Sequence, residues 1–121
     1  MLNITTKEIK TLDVNWDGEK RKLQWNAKEP SLTATVMDVI DSITTYYKDL
    51  AEAKDSKNVA DVRRVLEHGL EICEACTASL GSIFGEEFGG VLCADVCLAL
   101  AMAVNADMSA TAIAVAKERR R

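Results

Sequence analysis

The stretch VADVRRVLEHGLEICEACTASLGSI, residues 59–83, decides the fold of this chain. Apolar or small residues recur in it at alternating intervals of three and four, the spacing that places side chains on one face of an α-helix. The pattern therefore predicts one long amphipathic helix with an apolar stripe and a charged outer face. The stripe carries Val59, Val62, Leu66, Gly69, Cys73, Cys76, Leu80 and Ile83, and the outer face carries Arg63, Arg64, Glu67, Glu71 and Glu74.

A second amphipathic pattern precedes this helix. Its apolar positions alternate at intervals of four and three after Pro30, and Ser31 or Thr33 is suited to cap the N-terminus. The polar stretch 54–58 predicts a loop that also caps the following helix. We therefore expect the two helices to pack as an antiparallel pair. The apolar positions of the earlier helix are Val36, Ile40, Ile43, Tyr47 and Leu50.

The N-terminal segment predicts a β-hairpin centred on Asp17-Gly18, because glycine accepts a positive φ at little cost and aspartate tolerates it. Alternation along the two strands produces one apolar face. An isolated hairpin is marginally stable in water, so this face must dock on the helices. In the predicted register Leu12 pairs with Leu23, Asp13 with Lys22 and Val14 with Arg21, and the apolar face carries Leu12, Val14, Trp16, Leu23 and Trp25.

The chain beyond the long helix first turns and then becomes strongly apolar. Glycines within residues 85–90 predict the end of the helix and a break. Residues 91–104 predict a helix that is apolar nearly all round, and such a helix lies in a core or against another subunit. A last short helix is predicted over residues 108–121, capped by Asp107 or Ser109.

Together these patterns predict a mainly α protein with an N-terminal β-hairpin, an α+β domain of three to four helices. The 121 residues suit a single domain, 1–121, with a hairpin region at 1–29 and a helical region at 31–121. Hydrophobic residues make up 48% of the chain but aromatic residues only 5%, so the core must be built from small aliphatic side chains.

Charge is distributed unevenly along the chain, although the net charge is only −4. Residues 31–116 carry five basic and thirteen acidic side chains, whereas residues 117–121 carry a net +3. An acidic body repels a phosphate backbone, so we expect no nucleic-acid partner. The basic end either complements a helix dipole or pairs with the acidic surface of another copy. Residues 91–104 are shorter than the roughly 20 residues of a membrane span, and we expect a cytoplasmic protein without a membrane partner.

The sequence offers little material for catalysis. Its one histidine, His68, lies among acidic residues and is predicted on the solvated surface. Asp38 and Asp41 are typical of first-turn acids at a helix N-terminus rather than of an acid–base pair. The glycines match no nucleotide-binding fingerprint. We therefore expect a non-enzymatic protein without cofactors.

The four cysteines form a pattern of two close pairs, Cys73-x2-Cys76 and Cys93-x3-Cys97. Four thiolates in two pairs suit tetrahedral zinc. The first pair, however, occupies stripe positions, the second lies in the apolar segment, and free cysteine packs as a small hydrophobe. We interpret all four as core thiols and expect no bound metal, with a zinc site or redox pairing as the alternatives.

Three features occur in order along the chain: the Asp17-Gly18 hairpin, the turn Leu80-Gly81-Ser82-Ile83-Phe84-Gly85-Glu86-Glu87 after two acidic amphipathic helices, and the apolar segment from Val91. This layout resembles the short form of the tail assembly chaperones of long non-contractile-tailed bacteriophages. The resemblance implies a protein that binds and solubilises the tape measure protein and recruits tail-tube subunits. It also implies action in the host cytoplasm and absence from the mature virion.

A helix rich in small apolar residues suits contact with another helix. We expect the chain to form homo-oligomers through residues 91–116, because that surface is too apolar for a solvated monomer. The alternatives are a small structural or completion subunit of a phage tail and, from another class, a zinc-dependent interaction module. The predicted contacts with the tape measure protein are Val91, Leu92, Leu98, Leu100, Met102 and Val104.

Overall fold

A computed structural model of the chain describes residues 1–119, and describes side chains for residues 1–108. A two-stranded antiparallel hairpin is followed by three helices, which confirms the predicted α+β class. The elements are β1 (Ile9–Trp16), β2 (Glu19–Asn26), α1 (Leu32–Ser56), α2 (Val59–Phe84) and α3 (Ala94–Arg119).

The hairpin has the register that the turn chemistry predicts. Leu12 lies opposite Leu23 and Val14 opposite Arg21, with Asp17 at φ 52° and Gly18 at φ 87° in the turn. Both positive φ values match a two-residue hairpin turn. The apolar face docks on the helices as expected: Leu23 and Trp25 are buried, and Leu12, Val14 and Trp16 pack half-buried against the core.

The first two helices are joined by only two residues. α1 continues to Ser56, so the predicted loop over 54–58 is reduced to Lys57-Asn58, with Lys57 in the left-handed region at φ 57°. Asn58 caps α2 as predicted, since its side chain accepts the Ala60 N–H at 3.0 Å. Ser31 occupies the N-cap position of α1, but its hydroxyl donates to Glu29 instead of capping the helix.

The ring of Tyr46 on α1 lies against the backbone of α2 at Gly69, where there is no side chain. A Cβ at this position would lie 2.9 Å from the hydroxyl oxygen of Tyr46 and closer still to the ring carbons. Glycine costs an α-helix about 1 kcal/mol relative to alanine. At this position the loss in helix propensity is offset by the contact between the helices.

Gly69→Ala should lower the free energy of unfolding by about 1–2 kcal/mol, because overpacking against the Tyr46 ring exceeds the gain in helix propensity. Urea denaturation followed by circular dichroism measures the change. Gly90→Ala is the matched control, since nothing lies within 4 Å of a Cβ built there. Equal or greater stability of Gly69→Ala would contradict the packing of the Tyr46 ring against Gly69.

The third helix differs from its prediction at both ends. α3 begins at Ala94, so Val91 and Leu92 lie in the preceding loop, and Cys93 accepts the Cys97 N–H at 3.0 Å through its carbonyl. The helix is then continuous through residues 105–107, so the predicted break and the separate helix from Met108 are wrong. The physical reason is that residues 94–119 contain neither glycine nor proline.

The third helix runs antiparallel to α1 and fills the core. The Tyr47 hydroxyl donates to Asp95 near the start of α3, and Thr33 at the start of α1 contacts the Met108 sulfur at 3.9 Å. One core cluster joins the hairpin and all three helices. Its fully buried side chains are Leu23, Val36, Ile43, Leu80, Cys97, Ala101 and Val104.

Candidate partner-binding surface

The turn after α2 is fixed by the hairpin. The ring of Phe88 stacks on Trp16 with centroids 5.7 Å apart and planes within 7°, and the guanidinium of Arg21 lies 4.9 Å from the Trp16 ring centroid. Arg21 also pairs with Glu86 at 2.9 Å. The sequence does not predict these roles, because Phe88 and Glu86 reach the hairpin only through tertiary contact. We call the cluster of Trp16, Arg21, Glu86 and Phe88 the hairpin clamp. It determines where the chain leads into α3.

Leu92 is held in the loop by its backbone. Its N–H donates to Thr77 Oγ1 at 2.9 Å, and its carbonyl accepts from the Cys97 thiol at 3.7 Å. The Thr77 hydroxyl in turn donates to the Cys73 carbonyl at 2.7 Å. With Leu92 anchored, the flanking residues Val91 and Cys93 are left exposed.

The six predicted contact residues fall into three groups. Val91 and Met102 are about half exposed, at 50% and 48%, and Leu92 and Leu98 are half-buried. Leu100 and Val104 are buried in the domain's own core, so they are not available to a partner. A stretch that is apolar nearly all round does not reveal which side faces inward, and this is why the prediction included them. The part of the self-association segment beyond Met108 lies outside the residues whose side chains are described.

One apolar depression lies between β1 and the start of α3, and we call it the hairpin groove. Its volume is about 490 Å³. Beside it, the outward face of α3 exposes Ala99, Met102 and Ala106 and carries the single charge of Asp95. The surface is therefore smooth, weakly charged and suited to the close approach of another helix. The hairpin groove is lined mainly by Val14, Trp16, Val91, Leu92, Val96 and Ala99.

Two adjoining apolar depressions, which share Leu66 and Leu70, lie along the first half of α2 on the arm that it forms with α1. The helical prediction for α2 is right, but two positions in the first half of its stripe are uncovered: Val59 is 78% exposed and Leu66 48%. Leu70, which lies beside the stripe, is 56% exposed. α3 starts beside Tyr47 and runs the other way, so no third helix reaches this part of the arm. We call this surface the arm groove. It is lined mainly by Tyr46, Val59, Val62, Leu66, Leu70 and Val91.

One tyrosine and three cysteines of the described part of the chain have raised pKa values. The hydrogen bond to Asp95 raises the pKa of Tyr47 to about 12, and burial raises the pKa of Cys97 to about 11. Burial likewise raises the pKa of Cys73 and Cys76. A raised thiol pKa leaves the neutral, unreactive form at pH 7. Three cysteines are thus core thiols as predicted, whereas Cys93 is exposed, contrary to prediction.

Within residues 1–108 no three histidine, cysteine or acidic side chains come together in a way that would hold a metal ion. His68 lies on the surface 3.4 Å from Glu71, as predicted. Of the helices in the described part of the chain, none has the length and hydropathy of a membrane span.

No protein-family model, curated protein or solved structure matches the chain. The two apolar grooves are consequently the features that carry a functional proposal. Val91 contributes to both of them, at the point where the anchored loop enters α3.

Proposed function

We propose that this protein is a non-enzymatic phage tail assembly chaperone that binds the tape measure protein in the host cytoplasm, keeps it soluble and recruits tail-tube subunits. The observation that carries the proposal is the hairpin groove, continuous with the exposed apolar face of α3. The resemblance of the element order to short-form tail assembly chaperones supports the same assignment.

The surface fits a long helical partner with an apolar stripe. Val91 and Met102 offer exposed aliphatic contact, and Ala99 between them leaves room for the partner's backbone. Methionine adapts its shape to an imperfect repeat, which a long helix with a varying stripe requires. The exposed carboxylates of Glu67, Glu71 and Glu74 lie on α2 and favour solubility of the complex.

Co-expression with the tape measure protein tests this function. Alone, the tape measure protein should be insoluble, and together with this chain it should move to the soluble fraction. Met102→Asp should lower the soluble yield at least about tenfold, because a buried unpaired carboxylate costs several kcal/mol at an apolar contact.

Met37→Asp is the matched control. Met37 is a helical methionine on α1 with 43% exposure, close to that of Met102, but it lies on neither groove. An equal loss of soluble tape measure protein with Met102→Asp and with Met37→Asp would argue against the α3 surface as the binding site. If wild type leaves the tape measure protein insoluble and is itself found in purified virions, the chaperone function is wrong. The alternative function, a structural or completion subunit of the tail, then takes its place.

A further inference from the structure

Apart from Val91, which it shares with the hairpin groove, the arm groove is an apolar surface that the tape measure proposal does not use. Its exposed residues Val59, Leu66 and Leu70 recur at helical spacing over about 17 Å of α2. Exposed apolar residues in such a row are typical of an interaction surface rather than of scattered surface positions. A helix laid beside α2 would cover them as α3 covers the other end of the bundle.

The charges around the arm groove indicate which kind of segment it would bind. Glu67 lines the groove, and Glu74, seven residues further on, lies exposed on the same side of α2. Asp95 lies at the far end of the groove. Arg63 is the basic side chain among the lining residues, so the acidic groups outnumber it. An occupant with an apolar stretch and a basic end complements this arrangement.

The end of the chain has this composition. Six of the eight residues in 109–116 are alanine, isoleucine or valine, and none of the eight is charged. Residues 117–121 follow with a net charge of +3. Eight helical residues span about 12 Å, which is shorter than the exposed row on α2, so a segment of this length fits within that row.

The occupant must come from another copy of the chain. Met108 lies beside Thr33, at the start of α1, whereas the arm groove lies beside Tyr46. These two positions on α1 are separated by about 20 Å along the helix. Because α3 runs away from Tyr47 towards Thr33, the segment after Met108 starts at the opposite end of the bundle from its own groove.

We propose that the arm groove binds residues 109–121 of a second copy. The two surfaces in this contact differ, so copies join head to tail and form a ring or an open chain. The exposed row on α2 is short, so we expect the association to be reversible, with a Kd on the order of micromolar. This contact goes beyond the proposed chaperone function and does not depend on the tape measure protein.

Sedimentation velocity of the full chain with two variants tests the contact. The groove variant is Leu66→Asp with Leu70→Asp, and the tail variant replaces Arg119, Arg120 and Arg121 with glutamate. Wild type should form concentration-dependent oligomers, weakened by at least about tenfold as NaCl is raised from about 0.05 to 0.5 M, because exposed charges are screened. Each variant alone should be monomeric, with Kd raised at least about tenfold.

An equimolar mixture of the two variants gives the deciding result. The groove variant keeps its tail and the tail variant keeps its groove, so the mixture should form heterodimers and nothing larger. Circular dichroism establishes that both variants remain folded, and Met37→Asp should associate as wild type does. A monomeric wild type at high micromolar concentration, a tail variant that still oligomerises, or a mixture that stays monomeric would each overturn the proposal.

Discussion

Leu80→Ala should lower the free energy of unfolding by about 3 kcal/mol, within the 2–5 kcal/mol typical of a buried leucine. Leu80 is fully buried in the core of a domain built from small side chains, so few large neighbours can move into the space that it vacates. For a protein of this size the melting temperature should fall by roughly 10 °C. Differential scanning calorimetry of dilute protein measures the shift.

Leu70→Ala is the control for this prediction. It removes the same atoms from the same helix, but Leu70 is 56% exposed. A change below about 1 kcal/mol is expected there, because little apolar area is returned to water. Similar losses for the two variants would mean that Leu80 is not the packed centre of the domain.

The domain should lose about 2–3 kcal/mol of stability between pH 9 and pH 11 through Cys97 alone. Burial raises the pKa of this thiol from 9.0 in the unfolded chain to about 11 in the folded one. Below pH 9 the thiol is protonated in both states, so its contribution is fully present. Above pH 9 the unfolded chain releases the proton first, and stability falls as the pH rises through the folded pKa.

Urea denaturation at intervals from pH 8 to pH 11, with a reductant present, measures this dependence. Cys97→Ala should be less stable at pH 8 but should lose less stability as the pH rises. Cys93→Ala should change the slope less than Cys97→Ala does, because a Cys93 thiolate contributes only a small part of the raised pKa of Cys97. Parallel slopes for wild type and Cys97→Ala would contradict the buried thiol.

Local chemistry was sufficient to predict the parts of the fold that short-range physics controls. The Asp17-Gly18 turn determines the hairpin register, and the Asn58 side chain determines where α2 begins. In both cases the deciding interaction lies within a few residues along the chain. Periodicity also predicted α2 along nearly its whole length.

Apart from the break wrongly predicted within α3, the errors arose where distant residues decide the outcome. α3 begins at Ala94 because Thr77, on another helix, holds the backbone of Leu92. The stripe of α2 is uncovered at Leu66 because of where α3 starts, and periodicity does not report how far a neighbouring helix extends. For the same reason the candidate site was predicted only in part. Of the predicted contact residues, Val91 and Met102 are exposed and remain candidates for contact with a partner. Val104, in contrast, belongs to the core.

The hairpin clamp also sets the order in which the domain is completed during synthesis. Arg21 and its partner Glu86 are 65 residues apart, and the aromatic partners Phe84 and Phe88 of the two hairpin tryptophans are equally late in the chain. A lone two-stranded hairpin is marginally stable in water. The hairpin leaves the ribosome before α1 and α2 and is thus among the last elements to acquire native contacts, since both helices must be made before it can dock. Until then both tryptophans are without their aromatic partners, which makes the nascent chain most vulnerable to aggregation before residue 88 emerges.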